Sequence, residues 1–460
     1  MTGLDEVPTR PGSGASSTRA APGMDLAPPV TPNLAPARPV PGASRVGRNI
    51  VETLVFRGLS TPIALLLVVV QSRLLEPAGR GTFVLLVLSV TIASRLLGQL
   101  GVAVTNRVRE APEEIGSLVR RALTLAVTLG LAGGVPIVAW TVLADDIRLD
   151  VAVLAALGLV PNVLWQTVSG VLLGVSRIRV WNLVQLLSPV LTLLGTLVLV
   201  LGLDGGVRAA VLAWTLAHVL TAAFALAATR DLWLPLRLPH ALDRHGRTLL
   251  RLALALGAVQ VLNLVSYRIE LFVLGGFEGV AAVGVYSIAM QAAESMWLAG
   301  AAVATAVTAP VVHESEERAA SLVAHAVGRS LLLTAPIAVV LGAAAPFVIP
   351  LALGEGFADA ALPLALLLPG AVAYAPVSVL VVYLSIRRGR PQLSLAVSFV
   401  SLAVTLAASL VLIPRYGVEG AGAASSVGYG AGGLLAWFLF VRLARLRPDG
   451  RARRPLPARG

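Results

Sequence analysis

Polar positions in this chain gather into short connections, and between them run long apolar stretches. Twelve stretches can be read, at 50–72, 82–105, 121–143, 150–174, 181–202 and 207–228, and then at 248–274, 281–310, 328–351, 361–385, 392–413 and 418–441. An α-helix needs about 20 apolar residues to cross the ~30 Å hydrocarbon core of a bilayer. Each stretch is long enough. The pattern therefore predicts an all-α polytopic membrane protein with about 12 transmembrane helices, divided by the polar connection at 231–247 into two six-helix lobes. Prolines inside the stretches (Pro62, Pro136, Pro161, Pro189, Pro336, Pro369, Pro376) read as kinks, because neighbouring helices in a bundle can satisfy the freed backbone groups.

The expected organisation is a tail at 1–48, an N-terminal lobe at 49–230, the connection at 231–247, a C-terminal lobe at 248–444 and an Arg-rich tail at 445–460. Nine of the 29 prolines fall in the first tail, which has no apolar run long enough for a signal-peptide core; such a composition favours disorder. The lobes read as pseudo-symmetric copies. Glu76-Pro77-Ala78-Gly79-Arg80-Gly81-Thr82-Phe83 follows the first span, and Glu278-Gly279-Val280-Ala281-Ala282-Val283-Gly284-Val285-Tyr286 the seventh. Arg179 to Ala210 likewise resembles Arg390 to Gly422, each running from an arginine through an apolar span to Gly-Val-x-x-Ala or Gly-Val-x-Gly-Ala, at Gly206 and Gly417. Six spans per copy is an even number, so the copies share an orientation and an axis along the membrane normal relates them.

Composition narrows the function. Hydrophobic residues make up 57% and charged residues 13%, against about 25% charged in soluble domains, which excludes a water-soluble enzyme. With no cysteine there is no thiol nucleophile or thiolate metal site, and five scattered histidines give no metal-ligand set, so no cofactor is expected. The connections are too short to carry a catalytic constellation, and no nucleic-acid partner is expected. The net charge of +12 comes from arginine alone, for the chain has no lysine. With the amino terminus inside, 28 arginines fall on the cytoplasmic side and five (Arg73, Arg80, Arg148, Arg208, Arg415) outside, which predicts that both termini are cytoplasmic. The seven arginines from Arg442 to Arg459 suit either anionic headgroups or a topological stop.

Candidate chemistry lies in the polar residues inside spans. Thr53, Arg57 and Thr61 share a helix face in the first span, as do Thr91, Arg95 and Gln99 in the second. In the seventh span Gln260, Asn263, Tyr267 and Glu270 form a stripe with Arg268 to one side, and in the eighth Ser287, Gln291 and Glu294 align. Such stripes can be interhelical hydrogen-bonding glue, and Arg57 is close enough to the cytoplasmic end to snorkel. Arg95 and Glu294 sit too centrally for that, so each needs a wet cavity or a partner; the two could also pair with one another. If the arginines on the first, second and seventh spans converge, they make a cationic cavity suited to phosphate or pyrophosphate oxygens. The candidate cavity residues are thus Arg57, Arg95, Gln99, Gln260, Asn263, Arg268, Glu270, Gln291 and Glu294.

Arg268-Ile269-Glu270-Leu271 through Gly284-Val285-Tyr286-Ser287-Ile288-Ala289, together with Leu412-Ile413-Pro414-Arg415-Tyr416-Gly417-Val418-Glu419-Gly420-Ala421-Gly422-Ala423, resemble the polysaccharide-export (Wzx-like) branch of the multidrug/oligosaccharidyl-lipid/polysaccharide flippase superfamily. Leu74-Leu75-Glu76-Pro77-Ala78-Gly79-Arg80-Gly81 is similar to that family's Leu-Gly-Pro-x-x-x-Gly turn, with Glu76 where glycine is usual. The likeness extends over about 48–444. It implies alternating access between two lobes, a cavity lined by the first, second, seventh and eighth helices, and a cargo of undecaprenyl-pyrophosphate-linked oligosaccharide moved to the outer leaflet of the bacterial cytoplasmic membrane. It also implies partners in the polysaccharide polymerisation and export machinery. Ion-coupled drug/cation antiporters of the same fold remain the alternative; they rely on membrane-embedded acids, and Glu270 and Glu294 offer two.

Overall fold

The computed structural model describes residues 43–108, 112–143, 147–202, 205–235 and 242–444. The chain divides into Met1–Gly47 and Arg48–Gly460, and the second unit is a helical bundle with no strand among the described residues. The Arg-rich stretch at 445–460 lies outside the described residues, as does the first tail up to residue 42. The first helix begins at Ala43, inside the stretch expected to be tail.

Ten helical runs are long and apolar enough to cross a membrane. Two of them, Gly58–Val108 and Pro391–Leu443, hold two crossings each, so the ten runs make twelve crossings. In the first half, α1 (43–75) and α2 (77–108) meet at Glu76, followed by α3 (Ile115–Leu143), α4 (Leu149–Gly174), α5 (Ile178–Leu201) and α6 (Gly206–Ala228). In the second half, α7 (244–278) and α8 (280–313) meet at Gly279; α9 (Glu316–Leu353) and α10 (Glu355–Arg387) follow, then α11 (391–416) and α12 (418–443), which meet at Gly417. Large apolar side chains such as Leu131, Val135, Leu332, Val339 and Phe347 stay exposed on the outside of the bundle, as they must where the solvent is lipid.

The connections expected between α1 and α2, α7 and α8, and α11 and α12 shrink to single residues. Glu76 (φ 56°, ψ 176°) and Gly279 (φ 79°, ψ 178°) adopt nearly the same positive-φ conformation, a one-residue break after which the next helix starts at once. Pro77 suits that start, since its fixed φ fits the first helical turn and its missing N–H is not needed there. Gly206 (φ 57°) and Gly417 (φ 53°) form the second matched pair, so the internal repeat read from the sequence is repeated in backbone geometry. Five helices break within the bundle among the described residues: α2 at Gly98–Gln99, α4 at Gly158, α7 over 266–268, α8 at Met296 and α10 at Ala375–Pro376. The break in α7 does not reverse the chain, because Gly257 packs on Leu96 and Gly275 on Leu85, one steady course along α2.

At the end carrying the Glu76 and Gly279 breaks the two halves are clasped. Gly81 and Gly284 each stand five residues past their break, and a Cβ on Gly81 would overlap the Val280 carbonyl while one on Gly284 would overlap that of Pro77. Only glycine permits this crossing of α2 and α8. Arg73 reinforces it, donating from Nε to the Ala352 carbonyl at 2.9 Å and from Nη2 to that of Leu351, the unpaired C-terminal carbonyls of α9. At the opposite end Arg121 on α3 grips Asp243 through Nε (2.9 Å) and Nη2 (2.7 Å), and Asp243 also accepts the Gly246 N–H at 2.7 Å as N-cap of α7. These bonds favour the ionised form and hold the Asp243 carboxyl down at about 2.

Candidate functional site

Two cavities with charged side chains in their walls lie along α2, one above the other, and Thr91 is in the wall of both. The first, about 430 Å³, is enclosed by α2, α4, α5, α6 and α7 and lined by Arg95, Gln99, Asn162, Gln166, Gln185 and Gln260 beside Trp165, Trp181 and Trp214. The second, about 370 Å³, lies between α1, α2, α7 and α8 nearer the clasped end, and is lined by Gln71, Arg80, Arg268 and Gln291 among apolar side chains. The broken positions open these spaces, since the loss of regular helix at Gly98–Gln99 in α2 and at 266–268 in α7 brings Gln99 and Arg268 to cavity walls.

Arg95 is exposed to the first cavity and has no hydrogen bond or ion pair among the described residues. Glu294 is not its partner. Instead Arg268 grips Glu294 with both terminal nitrogens, Nη2 reaching Oε2 at 2.7 Å and Nη1 reaching Oε1, so the pairing left open between Arg95 and Glu294 is replaced by a neighbouring one. The break at 266–268 explains it: without a regular helical turn there, Arg268 rotates toward α8 rather than staying off to the side of the α7 stripe.

The remaining expected residues divide. Gln99 and Gln260 join Arg95 in the first cavity, while Gln291 joins Arg268 in the second. Asn263 faces α11, where its Oδ1 accepts the Ser398 hydroxyl at 2.8 Å. Glu270 is fully buried in the second half, lines neither of these two cavities, and has no hydrogen-bond partner on either carboxylate oxygen. Arg57 lies on α1, but its side chain is outside the described residues. Of the three arginines expected to converge, Arg95 therefore lies in one cavity and the neutralised Arg268 in the other.

Sequence reasoning missed Arg80 and Gln71. Arg80 was counted with the external connections, yet it is buried inside α2. The signal was available: a Pro after a break marks the first helical turn, and Arg80, Val84, Val87, Leu88, Thr91 and Arg95 then follow one helical face.

Sequence comparison decides the family. The family described as polysaccharide biosynthesis protein matches residues 70–362, more than half the chain. The chain belongs to the polysaccharide biosynthesis protein family. No curated protein matches this family member in sequence. Among solved structures it is similar to the lipid II flippase MurJ in an inward closed conformation, with a TM-score of 0.74 and 11% identity over 86% of this chain and 90% of that one. It is similar also to an inward-facing multidrug resistance MATE family transporter of the MOP superfamily, with a TM-score of 0.69 and 17% identity over 84% of this chain and 94% of that one. A third, a MOP superfamily transporter from Pyrococcus furiosus described as having a binding pocket of reverse polarity, gives a TM-score of 0.59 at 17% identity, covering 87% and 95%. At these identities the likeness establishes a shared fold alone.

Proposed function

We propose that this polysaccharide biosynthesis protein is an alternating-access flippase that moves a lipid-pyrophosphate-linked oligosaccharide across the bacterial cytoplasmic membrane, the undecaprenyl type being the cargo. One observation carries the reading. Arg95 presents an unpaired guanidinium to a cavity at membrane depth, where an ion is expensive unless it faces water or a partner. A planar fork of N–H donors complements pyrophosphate oxygens, while the surrounding amides and indole rings suit neutral sugar hydroxyls and ring faces. With both termini cytoplasmic, the clasped end faces outside and the Arg95 cavity lies toward the cytoplasm, where such a cargo is made.

The antiporter alternative is less well supported. A cation exchanged against a drug needs an acid facing the cavity, and of the two candidate acids Glu294 is spent on Arg268 while Glu270 is sealed in the second half.

Cells lacking the gene should accumulate the lipid-linked oligosaccharide on the inner leaflet. The wild-type gene should relieve this, and Arg95→Ala should not. Normal glycan export in the deleted strain, together with sensitivity to cationic dyes, would favour the antiporter.

A further inference from the structure

Arg80 is 1% exposed, inside a membrane-spanning helix, and no acid among the described residues pairs with it. Its Nε donates to the Ser287 hydroxyl on α8 at 3.0 Å, and Nη1 reaches the Val68 carbonyl at 3.5 Å, at the limit of a hydrogen bond. A guanidinium has five N–H donors, so most of its capacity is unspent. Keeping an uncompensated ion in such surroundings is costly, and a structural role as a hydrogen-bond donor to Ser287 needs no charge. Beside it, Gln71 on α1 is 4% exposed, and its Nε2 has no hydrogen-bond partner. Both side chains line the second cavity, about 370 Å³, at the clasped end. Arg268 in the same wall is already neutralised by Glu294, so the positive charge there belongs to Arg80.

We infer that Arg80 and Gln71 form a second anion subsite, distinct from that of Arg95, which receives a phosphate of the cargo as it reaches the clasped end of the path. The inference rests on the flippase reading. It adds that α2 carries two cationic stations on one face, fifteen residues apart in sequence, with Thr91 between the two cavities. The geometry also links the subsite to the clasp. The guanidinium that would turn to a phosphate is the one bonded to Ser287 across the α2–α8 crossing, so anion binding competes with a bond that ties the halves together.

The test is equilibrium binding of undecaprenyl pyrophosphate to the detergent-solubilised full-length protein, with melting temperature measured on the same samples. Arg80→Gln should weaken binding about tenfold or more, the loss expected for a charge-assisted hydrogen bond. Its melting temperature should be unchanged or raised, because a buried unpaired charge has been removed. Gln71→Leu should weaken binding by a smaller factor. Wild-type affinity in Arg80→Gln, with affinity lost in Arg95→Ala, would remove the second subsite and leave the flippase reading standing. No binding by the wild-type protein would remove both. A collapse in melting temperature that accounts for the lost binding in Arg80→Gln, with full affinity in Gln71→Leu, would make Arg80 a structural donor and overturn the inference. Competition by phosphatidylglycerol micelles as effective as by the pyrophosphate would assign the subsite to bulk lipid headgroups and overturn the cargo assignment.

Discussion

Arg95 and Arg268 were both legible in the sequence as cations inside apolar spans, Arg95 too central to snorkel and Arg268 beside the polar stripe of the seventh span, yet the structure gives them opposite surroundings. Removing Arg95 strands no acid, whereas removing Arg268 leaves Glu294 without its bidentate partner. Arg95→Ala should therefore fold and melt like the wild type while losing transport at least tenfold, and Arg95→Lys should recover only part, since an ammonium lacks the planar fork. Arg268→Ala and Glu294→Ala should each cost about 3 kcal/mol of stability, and the double substitution Arg268→Gln with Glu294→Gln should regain most of it. Thermal melts in detergent check the stabilities, and a transport assay checks the two Arg95 variants. Glu294→Gln should fail to rescue Arg95→Ala; rescue would mean that the two are coupled after all. What the sequence could not supply was the partner. Helical spacing assigns a residue to a face, but Arg268 is the last residue of a three-residue break in α7, and across a break the spacing no longer tells which face a side chain takes.

At the scale of elements, the apolar stretches located the twelve crossings, because hydrocarbon thickness sets a minimum helix length, but not every helix end: α9 begins at Glu316, twelve residues before the stretch at 328–351. The single-residue breaks were hidden by their own composition. Glu-Pro-Ala-Gly-Arg-Gly reads as a loop, yet the backbone spends one residue on the break and begins α2 at Pro77. Glu76 occupies a conformation (φ 56°) that a residue with a Cβ reaches only at a cost, and its counterpart in the second half is Gly279. Glu76→Gly should accordingly raise stability by about 1 kcal/mol, seen as a higher melting temperature. Gly81→Val should fold each half but prevent the α2–α8 crossing from closing, so that cross-linking between the halves at the clasped end fails and export is lost. Asp243, the N-cap of α7, is stabilised as the anion by Arg121 and the Gly246 N–H, with its carboxyl at about 2. Because that is below the ordinary carboxylate range, its contribution is complete above that range and fades only as the pH falls through about 2. Melting temperature between pH 5 and 8 should thus be insensitive to this group, while Asp243→Ala should cost about 1 kcal/mol across the whole window.

For the whole molecule, the repeat was visible in the sequence as short matching segments and recurs in the structure as paired positive-φ positions, Glu76 with Gly279 and Gly206 with Gly417. The clasp was not visible, because it depends on contacts between residues far apart in the chain, such as Gly81 with Val280 or Arg73 with Ala352. Two halves clasped at one end, with an unpaired cation in a cavity away from it, fit the proposed alternating access by rocking of one lobe against the other. The most direct measurement is movement of a fluorescent undecaprenyl-pyrophosphate oligosaccharide between leaflets of proteoliposomes, read by the fraction accessible to an external quencher. Wild-type protein should equilibrate the lipid between leaflets, and Arg95→Ala at equal abundance should leave it where it was placed. Equal rates for Arg95→Ala and wild type, or no movement of the glycolipid by wild-type protein that does transport a cationic dye, would contradict the account.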